Sequence, residues 1–292
     1  MALQIITDTS CDLTWARLDE LKVRCLPLGL TIAGRSYPDE EGYLPDVDEF
    51  YEMQAESGGA TGTSGLTVPA IKEAFEQVLQ AGDDVLYLGI VPDLSAATWN
   101  SMHIALAELR EEYPERRIET PNTHSIAPGL GLLLERMVEL RDTGAKMDLM
   151  LKELSYWVER TAHWFTVDNF NQLKKSGRVS NIEAAVAGLL HIKPVMRLPL
   201  NGKLESVGKV RGEKAIIREL SDIVYDTLYE DGGKVWVSYG ASSQRERAEQ
   251  LAEAIREKRP GAQVSASQRI GPIIGAHTGP TVLAVFFFSK KR

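Results

Sequence analysis

The chain has 292 residues, 43% hydrophobic and 25% charged, with 33 Lys+Arg against 41 Asp+Glu and a formal charge of -8. That length accommodates two globular domains and a cavity, while the acidic balance argues against nucleic acid or anionic membrane as main partner, since both need a basic face. No stretch approaches the ~20 apolar residues of a membrane span, the start Met1–Asp8 lacks a signal peptide's basic region, and only Cys11 and Cys25 occur, which suits a reducing cytoplasm.

In the first half, strands are expected at Leu3–Thr7, Val23–Leu30, Asp84–Val91 and Arg117–Glu119. Helices are expected at Pro69–Ala81, Ala96–Glu112 and Gly129–Thr143, giving the alternation of a parallel sheet wrapped by helices. Between them, residues 34–62 carry Pro38, Pro45, Gly58, Gly59 and six acidic residues from Asp39 to Glu49. This segment reads as a surface excursion with a solvated acidic face.

An amphipathic helix over Met147–Arg160 leads to His163–Asn169 and the Lys/Gly-rich Leu173–Ser180. Ile192–Pro199 and Lys203–Val210 then flank Asn201-Gly202, which predicts a type I′ hairpin because both central residues of that turn need positive φ. A helix (Glu213–Tyr229), a strand (Lys234–Tyr239), a helix (Ser243–Lys258) and an apolar strand (Thr281–Phe288) follow. The expected class is α/β: an N-terminal parallel-sheet three-layer domain over residues 1–156 and a C-terminal α+β domain over residues 157–292.

Common catalytic signatures are missing. There is no G-x-x-x-x-G-K-[ST] or G-x-G-x-x-G to cradle nucleotide phosphates, no G-x-S-x-G and no H-E-x-x-H. The two cysteines and five scattered histidines form no zinc spacing.

Two hydroxyl-bearing turns remain. Thr61-Gly62-Thr63-Ser64-Gly65-Leu66-Thr67 runs into the Pro69 helix, and Val91-Pro92-Asp93-Leu94-Ser95 into the Ala96 helix. At the carboxyl edge of a parallel sheet such turns meet ligands, and helix N-termini there suit an anion. With no Lys or Arg nearby in either segment, a carboxylate fits better than a polyphosphate. The same hydroxyls also serve as plain helix caps. A third segment, Gly271–Thr281, places Gly271, Gly275 and Gly279 around His277 and reads as a glycine-rich loop. His277 is either an oxyanion donor there or a surface histidine. Arg211, where the hairpin exits, is a candidate contact for an anion or simply an exposed cation.

Taken together these segments resemble the DegV family of bacterial fatty-acid-binding proteins. Ile5–Leu13 is similar to the family's opening I-x-T-D-S-[ST]-x-D-[LI], and Thr63-Ser64 stands where the family has T-S-Q-P-S. Leu94-Ser95 matches L-S-G-T, Gly177-Arg178-Val179-Ser180 with Ile192-Lys193-Pro194-Val195 matches G-R-I-S…[IL]-K-P-[IV], and Arg211-Gly212 and His277-Thr278-Gly279-Pro280 match R-G and H-T-G-P. Two departures are Gly65-Leu66-Thr67 in place of Q-P-S and Ala96-Ala97 in place of G-T.

The resemblance implies one long-chain, palmitate-like fatty acid in a tunnel between the domains. Thr63 and Ser95 would bind its carboxylate, supported by Ser64, with His277 completing the network. It further implies no cofactor, metal or catalytic centre; a separate kinase subunit, contacted by Arg211, would form the acyl phosphate from ATP. Two alternatives stay open: an acyl hydrolase or transferase using Ser64 or Ser95 with His277, and a carrier or sensor of another hydrophobic carboxylate.

Overall fold

The computed structural model describes residues 3–38, 44–179 and 191–292. The expectations for Met1, Ala2, Asp39, Glu40, Glu41 and Ser180 lie outside these residues.

The first half runs β1 (Leu3–Asp8), α1 (Trp15–Glu20), β2 (Arg24–Leu26), β3 (Gly29–Ile32), β4 (Arg35–Tyr37), α2 (Val47–Glu56), β5 (Thr61–Ser64) and α3 (Val68–Gln80). It continues through β6 (Asp84–Tyr87), α4 (Ala96–Glu112), β7 (Ile118–Glu119), α5 (Ala127–Asp142) and α6 (Met147–Val158). The rest comprises β8 (Thr161–Thr166), α7 (Asn171–Ser176), β9 (Ile192–Arg197), β10 (Glu205–Arg211) and α8 (Glu213–Thr227). Then come β11 (Lys234–Tyr239), α9 (Arg245–Lys258), β12 (Gln263–Arg269), α10 (Pro272–Thr278) and β13 (Leu283–Phe288).

The architecture is α/β, with a parallel sheet and a separate mixed sheet. The parallel sheet has order β2-β1-β6-β7. Successive residues feed opposite cores: Ile5 and Leu86 pack with Leu130, Leu133 and Leu154, while Ile6 and Val85 pack with Ile71, Phe75 and Met102. A sheet covered on both faces needs unbroken apolar strands, which is why these were readable. The mixed sheet has order β10-β9-β8-β13-β11-β12, antiparallel except between β11 and β12. Helix α5 joins the two sheets: it is buried from Ala127 through Glu135, and Glu135 ion-pairs with both Arg17 and Lys234.

The structure differs from several of these expectations. The run Val23–Leu30 is not one strand; it breaks at Pro27, which cannot donate to a ladder, and its two pieces enter different sheets. Residues 34–62 do not form a mere excursion: β4 and β5 flank β3 in an antiparallel sheet, and α2 buries Phe50, Tyr51 and Gln54. Their spacing is helical, but the acidic residues between them hid the stripe. Gly271–Thr281 is not a loop, because Pro272 opens the seven-residue helix α10. Gly275 is required there, since a Cβ would stand 2.6 Å from Tyr51 Oη and 2.8 Å from Phe50 Cε1.

The Asn-Gly turn is wider than type I′. Pairing ends at Arg197↔Glu205, and only Gly202 has positive φ, at 73°, with its N–H donating to Pro199 O. The hairpin tip is instead shaped by packing, because a Cβ on Gly202 would fall 2.3 Å from Asp93 Oδ2. Helices α1 and α7 and the polar edge strand β12 escaped the sequence reading altogether, having too little apolar periodicity to register. Among the described residues, no helix is long and apolar enough to cross a membrane.

Candidate functional site

Where β1 and β6 end, the chain turns to opposite sides of the parallel sheet, and such switch points leave a crevice. A cavity of about 420 Å³ opens there, within the range of small-ligand clefts. Thr63, Ser64, Ser95 and His277 all line it, with Leu28, Ile90, Ile126, Leu204 and Ile274 supplying apolar wall. Arg211 does not line it. It is exposed at the far end of β10, roughly 20 Å along the strand from Leu204 at ~3.3 Å per residue.

Thr63 is held by the β3–β5 ladder, not by a turn as expected, opposite Leu30. Its Oγ1 lies 2.7 Å from His277 Nε2. The histidine is fixed from behind: Gln54 Nε2 donates to Gly275 O at 3.1 Å, and Thr61 Oγ1 and Gln172 Nε2 donate to Ala276 O at 3.0 and 2.7 Å. Thr61 and Gln172 thereby satisfy a carbonyl that the short helix leaves open, while Gly275 O accepts the Gly279 N–H as well as Gln54. Burial, with the Arg178 guanidinium adding to it, pushes the His277 imidazole down to about 4. It is therefore neutral near pH 7, able to donate through one nitrogen and accept through the other.

Ser95 occupies the N-cap position of α4 but makes no cap bond. Its Oγ instead pairs with Thr98 Oγ1 at 2.9 Å, and Thr98 Oγ1 accepts the Leu66 N–H at 3.2 Å. When Thr98 donates its proton to Ser95, the Ser95 hydroxyl hydrogen is left for a ligand. The N-cap of α3 is Thr67, so neither Thr63 nor Ser95 is spent on capping. The two departures from the family pattern pack against each other. A Cβ on Gly65 would sit 2.5 Å from Thr98 N and 2.9 Å from Ala97 C, so Gly65 allows the β5–α3 connection to lie directly on the first turn of α4.

Arg178 was missed as a site residue. It lines the cavity, delivered there by Gly177, whose φ of 68° ends α7 in the left-handed region that favours glycine. Nothing local in Gly177-Arg178-Val179 says that a guanidinium after a helix stop will face a cavity. Replacing Arg178 with Gln is expected to raise the His277 pKa from about 4, without restoring the ordinary 6.5 because burial remains. The folded imidazole resists protonation more than the unfolded one, so its contribution to stability is full above pH ~6.5 and lost as pH falls towards 4. Ring-proton NMR titration of His277 checks this; an unmoved midpoint refutes the Arg178 contact.

A smaller space of about 40 Å³ continues inward, sharing Ile126, Leu204, Ile274 and Thr278 with the first and enclosed by Phe165, Leu198 and Phe286. Its lining is apolar except for His163 and Thr278. Burial holds the His163 imidazole well below its usual range, so it too is neutral. Among the described residues, no group of three or more His, Cys, Asp or Glu is placed to hold a metal.

Two sheets sharing one core, around an apolar cleft whose mouth carries hydroxyls, an imidazole and a guanidinium, define the class of this molecule. Residues 2–290 match the DegV family, described as uncharacterised protein, and the chain belongs to that family. It is 33% identical over 292 residues to a DegV domain-containing protein of Clostridium perfringens, covering 99% of this chain and 98% of the relative. Among solved structures it superposes on a fatty acid binding DegV family protein from Streptococcus agalactiae with a TM-score of 0.84 and 26% identity, covering 100% of both chains. A stearic acid-binding protein from Eubacterium ventriosum gives 0.86 over 99% of both chains. At 22% identity it shares the fold.

Proposed function

We propose that this chain binds one long-chain, palmitate-like fatty acid with its carboxylate at Thr63, Ser95 and His277, supported by Ser64, and its tail along the apolar wall of the cavity of about 420 Å³ towards the inner space. The observation that carries this reading is the Thr63–His277 pair at the mouth of a cavity that turns apolar inward. Each buried methylene contributes ~0.8 kcal/mol, so the tail supplies affinity. The mouth supplies orientation, since a buried carboxylate must find donors, and Arg178 adds charge complementarity. The fatty acids bound by structural relatives support the assignment.

The carboxyl group would then be presented, without chemistry by this chain, to a separate cytoplasmic kinase subunit that forms the acyl phosphate from ATP. A hydrolase using Ser64 or Ser95 with His277 is disfavoured by geometry. His277 Nε2 bonds Thr63, Ser95 bonds Thr98, and an imidazole held at about 4 is a weak base at neutral pH. Mass spectrometry of an organic extract of freshly purified protein tests the ligand: a stoichiometric C16–C18 acid is expected, whereas a different stoichiometric carboxylate makes it a carrier of that compound. For presentation, Arg211→Ala is expected to leave fatty-acid affinity unchanged and slow phosphorylation by the kinase subunit. Equal phosphorylation rates sink the role of Arg211.

A further inference from the structure

A second cavity, of about 320 Å³, shares only Ile273 with the fatty-acid site and lies among α1, α2 and the start of α10. Leu13, Trp15, Leu18, Leu44, Val47 and Pro272 give it a largely apolar wall. Asp12, from the opening motif, also lines it, and nothing in the proposed function uses that residue. Both Asp12 carboxylate oxygens are buried, and among the described residues neither has a fully formed hydrogen bond, although the Gly271 amide lies near the carboxyl. A buried acceptor left unpaired costs free energy. Its backbone is also unusual, since φ is 54° at a non-glycine residue, a conformation that Asp and Asn tolerate better than most.

The remaining polar groups decide what would satisfy it. Arg269, the cation on this wall, is committed to Gly240 O and Asp48 Oδ1 and stacks over Tyr239. Thr9 Oγ1 accepts from Leu28 N, Thr14 Oγ1 and Asp46 Oδ1 cap helices, and Ser267 Oγ pairs with Ser265 Oγ. The cavity therefore offers a buried acid within largely apolar walls, with the Gln268 amide as a neutral donor on the same wall and the guanidinium already committed, so an anion gains little and a cationic donor gains most.

We propose that this cavity is a second ligand site, which takes a small apolar molecule bearing a primary ammonium group held by the Asp12 carboxylate. Burial keeps the empty carboxyl well above the usual carboxylate range, against the Gly271 amide and with the Asp8 charge reinforcing it. The incoming ammonium supplies both charge and N–H donors to the carboxylate. Its apolar body replaces water against Trp15, which is 52% exposed.

The test is calorimetric titration of the full chain with phenethylammonium chloride. Saturable one-to-one binding is expected, with phenethyl alcohol and phenylpropionate at least ~tenfold weaker, the scale of a charge-assisted hydrogen bond. Asp12→Asn keeps the left-handed backbone accessible and is expected to weaken the ammonium by at least ~tenfold. Trp15→Ala, on the exposed wall, weakens it as well, and Thr63→Val in the other cavity leaves it unchanged. Absence of saturable binding, equal affinity for the neutral or anionic analogue, or an unaffected Asp12→Asn variant overturns the site. If Asp12→Asn melts early, unchanged affinity in Trp15→Ala overturns it instead. A loss in Thr63→Val matching that in Asp12→Asn would place the probe in the first cavity and also overturn it.

Discussion

Replacing Thr63 and Ser95 together with alanine is expected to weaken long-chain fatty-acid binding by roughly a hundredfold, with the fold intact. Each hydroxyl is placed to give one hydrogen bond to a charged oxygen, about 1.5–3 kcal/mol where measured in proteins, and each decade of affinity is 1.4 kcal/mol. The losses fall short of full addition, because His277 remains at the mouth and turns towards the carboxylate once Thr63 Oγ1 no longer holds its Nε2. Binding persists at a reduced level because the tail contacts along Ile126, Leu204 and Ile274 are untouched. Thr63→Ser, which restores the hydroxyl, is expected to recover most of the affinity. Fluorescent fatty-acid displacement measures both variants, and an unchanged dissociation constant in the double variant removes Thr63 and Ser95 from the site.

The sequence offers both hydroxyls as residues just before an apolar helix, but only Ser95 stands there; Thr63 belongs to β5, and Thr67 caps α3. Helix α4 is expected at Ala96–Glu112 and is found there, since the run holds no Gly or Pro to interrupt it. Arg178 was not legible as a site residue. Its position depends on the left-handed Gly177 and on α10 packing across the chain, which are tertiary facts. Likewise His277 was found by its glycine neighbours for a reason the structure replaces: Gly275 is glycine because Tyr51 and Phe50 press on it, not because a loop bends there. In the sequence Asp12 is one acidic residue of the opening motif, and only its burial marks it out.

The opening motif also carries the largest stability effect expected from one substitution, at Asp8, which is fully buried at the end of β1. Its Oδ1 accepts the Ser10 N–H at 2.9 Å and the Ser10 hydroxyl at 2.5 Å, and its Oδ2 accepts Tyr87 Oη at 2.5 Å and the Ile90 N–H at 2.9 Å. One carboxylate thereby ties β1 to the end of β6, beneath the wall that Ile90 gives the cavity. Gly89 makes room for it, since a Cβ there would stand 2.1 Å from Tyr87 Oη and 2.4 Å from Asp8 Oδ2. Burial, aided by the Asp8 charge, holds the Tyr87 phenol well above its usual range, so it stays a donor. Asp8→Ala leaves these donors without an acceptor and is expected to cost ~3–5 kcal/mol, a large part of a typical 5–15 kcal/mol stability. Asp8→Asn also destabilises, because its amide points N–H donors at groups that are themselves donors. Urea unfolding with an unchanged slope reads the loss as a lower midpoint. A loss below ~1 kcal/mol in Asp8→Ala would mean that water replaces the carboxylate at the sheet edge, and that this edge is not what holds Ile90 and the cavity wall in place.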